Sequence, residues 1–168
     1  AQTEAARALS YVTAAAFDGA HHHPDGATRK AHQAFYEFMV PIVKGWSTEL
    51  SIDVASTGVQ VHGGMGFIEE TGAAQLLRDA RITTIYEGTT GIQANDLVGR
   101  KILRDGGAAI RAWMATMRDD QSALQRRLQS ASKVTPAQND NALRLAQVLD
   151  GALQSLQHCV DWIVQPSQ

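Results

Sequence analysis

Apolar positions recur three and four residues apart along most of this chain, the spacing of one face of an α-helix. Over residues 3–17, Leu9, Val12, Ala16 and Phe17 fall near one face and predict a first helix. The stretch "DGAHHHPDG" at 18–26 carries two Asp-Gly pairs and a proline, so it predicts a break. Phe35, Phe38, Met39, Ile42, Val43, Trp46, Leu50 and Val54 then form the stripe of a long helix over 28–59. Pro41 lies inside it and predicts a kink or a local break, because proline cannot donate to the preceding turn. "HGGMGF" reads as a glycine-rich loop, 70–80 as a short helix, and 89–103 as another helix. Between the last two, "ARITTIYEG" reads as extended or irregular, with β-branched residues and no sheet partner in view.

"RDGG" at 104–107 is the best internal boundary. Beyond it, Ile110, Trp113, Met114, Met117, Leu124 and Leu128 mark an amphipathic helix. A polar connection leads to Thr135-Pro136-Ala137-Gln138, a good helix start: Thr135 can cap, Pro136 suits the first position, and Gln138 can close a capping box. Leu145, Val148, Leu149, Ala152, Leu156 and Val160 form the stripe of the last helix. The expected fold class is all-α, a helical bundle over 1–104 with additional C-terminal helices over 105–168. The chain opens within a helical pattern and closes soon after another, as expected of a segment cut from a longer protein.

Composition narrows the function. At 168 residues the chain is long enough to bury a core unaided. A net charge of −2 gives no electrostatic footprint of a nucleic-acid binder. No apolar run reaches the roughly 20 residues of a membrane span. The opening "AQTEAARALS" lacks the form of a secretory signal. The single Cys159 excludes a disulfide within the chain and fits a reducing, cytoplasmic setting. Its place on or beside the last apolar stripe predicts a buried structural thiol.

Individual motifs are weak when taken singly. In "HHHPDG" adjacent histidines point in different directions and no second ligand cluster accompanies them, so a solvated loop is expected and no metal. "GGMGF" has no Lys-Ser/Thr after it, which excludes a P-loop, and by itself reads as a helix-terminating turn. Arg78, Asp79 and Arg81 read as a solvated or ion-paired helix end. Glu87, in "IYEGTTGIQ", stands where a helix dipole favours a carboxylate.

Together these motifs mean more. Residues 60–93, "QVHGGMGFIEETGAAQLLRDARITTIYEGTTGIQ", closely resemble the C-terminal domain of acyl-CoA dehydrogenases. The family pattern of Gln, Gly-Gly-x-Gly-Phe, Leu-x-Arg-Asp-Ala and Ile-Tyr-Glu-Gly-Thr is present in order and at family spacing. The likeness extends more loosely over residues 1–104, and "NDLVGRKILRDGG" with the later helices resembles the family's longer members.

The resemblance implies an FAD-dependent oxidoreductase that dehydrogenates an acyl-CoA thioester between Cα and Cβ. It implies that Glu87 is the α-proton base and that its backbone N–H polarises the thioester carbonyl. Tyr86, Glu87 and Gly88 would meet the substrate. Gln60 and Gly64 would meet the pyrophosphate of a neighbouring subunit's FAD, and Thr89 the flavin nucleotide. Gly91 departs from the commoner glutamine and removes one cofactor contact, whereas Gln93 matches. Burial beside flavin and acyl chain would push the Glu87 carboxyl towards working pH. An electron-transferring flavoprotein is the implied acceptor, and a homodimer or homotetramer the implied assembly. The middle β-domain and the earlier part of the bundle are absent from this sequence, so the isolated chain is expected to be inactive. The alternatives are an acyl-CoA oxidase, another flavoprotein of the same fold, or a non-catalytic helical interaction module.

Overall fold

A computed structural model describes residues 1–130 and 135–165. Among them every regular element is helical and none is a strand, as the apolar spacing predicts. The chain divides into two compact units, Ala1–Lys101 and Ile102–Gln168.

In the first unit, α1 (Gln2–His22) packs on α2 (Gly26–Val61). Thr13 and Ala16 are the buried residues of α1, whereas Val12 is 54% exposed, so the buried face is rotated from the apolar stripe. The first Asp-Gly pair does not stop α1, contrary to expectation. At Gly19 the two helices are in close contact: a Cβ there would lie 2.7–2.9 Å from the His32 ring. Its glycine serves packing, and the helix ends only at His23. Asp25 then caps α2, accepting from the Thr28 N–H and hydroxyl at 2.7 Å each. The Thr28 hydroxyl, more than any other group, holds the Asp25 carboxyl below the usual carboxylate range.

α2 runs through Pro41 without a break. A proline inside a helix costs about 3 kcal/mol. Phe38 and Met39, just before it, are 2% and 0% exposed. Burying two such side chains contributes about 1.5–3 kcal/mol each, enough to hold the helix through its missing hydrogen bond.

The glycine-rich stretch is one helical turn rather than a loop, α3 (Gly64–Phe67), followed by a 3₁₀ turn at Glu69–Thr71. Gly66 is buried against α2, where any Cβ would collide with the Val59 carbonyl oxygen. α4 (Ala73–Thr83) is tied to the 3₁₀ turn by the bidentate pair of Arg78 with Glu69, at 2.9 and 2.7 Å. Arg81 instead donates to the Thr84 hydroxyl. The segment expected to be irregular is helical as far as Thr83. Thr83 and Thr84 turn their hydroxyls back onto the carbonyls of Ala80 and Arg81, which accommodates β-branched residues at a helix end. α5 (Thr90–Asn95) continues into π-helical turns at Asp96–Leu103.

In the second unit, Asp105 caps α6 (Ala108–Ser130), accepting from the N–H groups of Gly107, Ala108 and Ala109. α6 packs on α7 (Pro136–Val164). The predicted capping box of Thr135 and Gln138 is present. Ile110 and Met114 are buried on α6, and Ala146, Leu153 and Val160 on α7. Arg111 pairs with Asp161 at 2.8 Å. Leu128's side chain and residues 131–134 of the polar connection lie outside the described residues. Leu145 and Val148 are 69% and 70% exposed, and Cys159 is exposed rather than buried. The reason is register: Ala146, Leu153 and Val160 recur every seven residues and face inwards, and Cys159 falls about 100° away from Val160 around the helix. No helix among the described residues is long and apolar enough to cross a membrane.

Candidate functional site

The sequence between α4 and α5 builds a tight turn. Ile85 and Tyr86 donate their N–H groups to the Ile82 carbonyl, at 3.0 and 3.1 Å, and turn the chain off the end of α4. The buried Thr84 anchors that end. Glu87 follows with φ +53°, the one non-glycine residue in the left-handed region among the described residues. Gly88 has φ +93°. Thr89 then caps α5, its hydroxyl accepting from the Ile92 N–H at 3.4 Å.

Side chains of α2 and α5 hold this turn. Lys44 Nζ donates to the Gly88 carbonyl at 2.6 Å and lies 6.0 Å from the centre of the Tyr86 ring. The Thr90 hydroxyl donates to Glu49 at 2.5 Å. Gln93 Nε2 reaches the Glu87 and Gly88 carbonyls at 3.5 and 3.4 Å, long bonds that the two share. The structure therefore brings Tyr86, Glu87, Gly88 and Thr89 together on one turn. Glu87 and Tyr86 are exposed there, Tyr86 by 51%, so the chain itself does not supply the burial expected around the carboxylate. Gly91 is exposed as well.

Gln60 and Gly64 are not part of this cluster. Gln60 lies 11 and 16 residues beyond Glu49 and Lys44 on the same helix, roughly 16 and 24 Å along its axis. Gln60 and Gly64 are both exposed around the α2–α3 corner. A Cβ at Gly64 would meet nothing within 4 Å, so its backbone faces open space. Gln60's amide and the exposed backbone are neutral hydrogen-bonding groups of a kind that suits phosphate oxygens. His21, His22 and His23 sit at the end of α1, and no group of metal-ligating side chains is found among the described residues.

Lys44 and Glu49 are site residues that the pattern along the chain did not reveal. Both interrupt a mainly apolar helix, but so do many solvated charges, and only the tertiary contact gives them meaning.

Fold and site define an all-α domain that presents a carboxylate on a strained turn tethered to its longest helix. Residues 1–103 match the family described as "Acyl-CoA dehydrogenase, C-terminal domain". The chain belongs to the acyl-CoA dehydrogenase family. It is 61% identical over 111 residues to a 3-methylmercaptopropionyl-CoA dehydrogenase of Ruegeria pomeroyi, covering 66% of this chain and 19% of that protein. It is 33% identical over 116 residues to a butyryl-CoA dehydrogenase of Syntrophomonas wolfei, covering 69% and 19%. To a broad-specificity linear acyl-CoA dehydrogenase of Mycobacterium tuberculosis it is 39% identical over 111 residues, covering 66% and 18%. The matched stretch thus spans about a fifth of the length of these relatives.

Proposed function

We propose that this chain is part of an FAD-dependent acyl-CoA dehydrogenase in which Glu87 takes the α-proton of an acyl-CoA thioester. The observation that carries the reading is the backbone of Glu87, held at φ +53°. A non-glycine residue in that region costs about 1–2 kcal/mol. Such strain persists where the surroundings over-determine it, and it clusters at functional sites. An ordinary surface glutamate at a helix start has no reason to be held that way.

In this reading residues 1–104 are the later part of the family's bundle and 105–168 an additional region. The Glu87 carboxylate accepts the α-proton and its backbone N–H holds the thioester oxygen, stabilising the enolate-like charge. Gly88 leaves the turn open to the thioester, and Tyr86 lines the acyl side. Gln60, Gly64 and Thr89 hold FAD, a role that the open backbone face of Gly64 fits. When bound, FAD supplies an acceptor for the hydride from Cβ. The distance between Gln60 and the Glu87 turn favours their serving different flavins in a homodimer or homotetramer, each site completed by a neighbour. An electron-transferring flavoprotein is the acceptor and the cytoplasm the setting in this proposal. The rest of the protein buries Glu87, and the isolated chain is inactive.

The experiment is Glu87→Gln in the full-length protein. It removes the base and keeps the shape, so turnover should fall by about 100-fold to 10,000-fold with flavin retained. Retained turnover would place the base elsewhere. 3-Methylmercaptopropionyl-CoA and butyryl-CoA are the acyl thioesters to test first, from the names of two relatives. Oxygen uptake matching turnover would mark an oxidase instead.

A further inference from the structure

Lys44 is half-buried on α2, and its ammonium is not within ion-pair distance of any carboxylate among the described residues. It donates instead to the backbone carbonyl of Gly88, 44 residues away in sequence, at 2.6 Å. A charged donor to a carbonyl gives a stronger bond than a neutral one. The Tyr86 ring at 6.0 Å adds a weak attraction from the other side of Glu87. The ammonium thus bonds the residue after Glu87 and lies over the ring of the residue before it, while making no ion pair with Glu87 itself.

That placement is where the strain has to be held. Glu87 at φ +53° would relax towards negative φ if the chain beyond it were free to move. The Gly88 carbonyl sits one peptide further on, between Gly88 and Thr89, so a bond to it fixes the far end of the two positive-φ residues, Glu87 at +53° and Gly88 at +93°. Gln93 reaches both this carbonyl and that of Glu87 itself, but at 3.4 and 3.5 Å, near the limit of a hydrogen bond. The Glu49–Thr90 bond fixes the start of α5 and leaves the Glu87 torsion unconstrained. Lys44 is therefore the strongest tether on the turn.

We propose that Lys44 is the positioning residue for Glu87: by pinning the Gly88 carbonyl to α2 it keeps the carboxylate aimed where a substrate Cα arrives. This rests on Glu87 being the base. Lys44 touches neither substrate nor flavin in this scheme and acts through the turn.

The test uses full-length, flavin-loaded enzyme carrying Lys44→Met, Lys44→Arg or Glu87→Gln. Two readouts are followed: steady-state kinetics, and solvent exchange of the substrate α-hydrogen, which reports proton abstraction directly. Lys44→Met keeps the apolar stem and loses the donor. A misplacement on the order of 1 Å costs about 100-fold, so kcat and α-exchange should fall together by about 10–100-fold while KM stays within about threefold. Lys44→Arg, which retains a charged donor, should recover most of both. Should Lys44→Met not retain flavin, Lys44→Gln, with a shorter neutral donor, takes its place and should show the same paired loss. Undiminished α-exchange in a flavin-loaded Lys44→Met or Lys44→Gln enzyme overturns the proposal, as does Lys44→Arg behaving no better than Lys44→Met. Failure of the underlying reading looks different: Glu87→Gln would then keep α-exchange, whatever the Lys44 variants do.

Discussion

Two demands on Glu87 pull in opposite directions. Its carboxylate is needed by the proposed chemistry, and its backbone sits where asparagine or glycine would be more comfortable. Replacing Glu87 with Asn keeps a polar side chain and suits φ +53° better. Unfolding of the chain in urea should therefore shift to higher denaturant, by up to about 1 kcal/mol of stability, while the full-length enzyme loses turnover. A lower urea midpoint would mean that Glu87 makes contacts worth more than its strain. This trade could not be read from the sequence. "IYEGTT" contains a glycine beside the glutamate, and glycine is the residue to which a left-handed torsion would be assigned first. Gly88 does take a positive φ, yet Glu87 shares it, because the chain must leave α4 and enter α5 within six residues, from Thr84 to Thr89.

Helices show how far apolar spacing reaches. It located α1, α2, α4, α6 and α7, and the residue types at 135–138 predicted the capping box of α7. It failed where a residue's job is set by a neighbouring element. Gly19 looks like a stop and instead makes room for the His32 ring of α2, and Pro41 looks like a break and is carried by the burial around it. The glycines of "HGGMGF" divide the same way. Gly66 is required by packing on the Val59 carbonyl, whereas Gly64 has open space where a side chain would go. Gly66→Ala should destabilise the chain by about 1–3 kcal/mol, the range for forcing an atom into a packed contact. Gly64→Ala should leave the urea midpoint within about 0.5 kcal/mol, yet weaken flavin binding in the full-length protein by crowding the proposed pyrophosphate. Unchanged flavin affinity in Gly64→Ala would remove Gly64 from the cofactor site. In the sequence the two glycines look alike, and only the distance from α2 separates them.

Across the whole molecule, the candidate site was legible as a set of motifs but not as an arrangement. The spacing of "QVHGGMGF", "LLRDARI" and "IYEGTT" led to the family, and the fold then put the Gln60–Gly64 corner and the Glu87 turn at separate levels of α2. Neither place is enclosed by the chain itself. Around the corner, Val61 is 79% exposed, Met65 58% and Phe67 81%. At the turn, Ile85 is 48% exposed and Ile92 52%. An open apolar hollow of about 530 Å³, lined by Leu50, Val54, Ala55, Ala73 and Leu76, lies among α1, α2 and α4. Isolated exposed apolar residues are ordinary, but contiguous ones mark surfaces that something else covers. A net charge of −2 offers little repulsion to keep such surfaces apart. The isolated chain should therefore bind an apolar fluorescent dye while keeping its full helical circular dichroism, and its light scattering should rise with concentration. In the full-length protein, where the proposed bundle partners and neighbouring subunits cover these residues, dye binding should fall sharply. A folded, isolated chain that stays monomeric and binds no dye would show that these surfaces are content in water, and would favour a free-standing module over a segment of a larger flavoprotein.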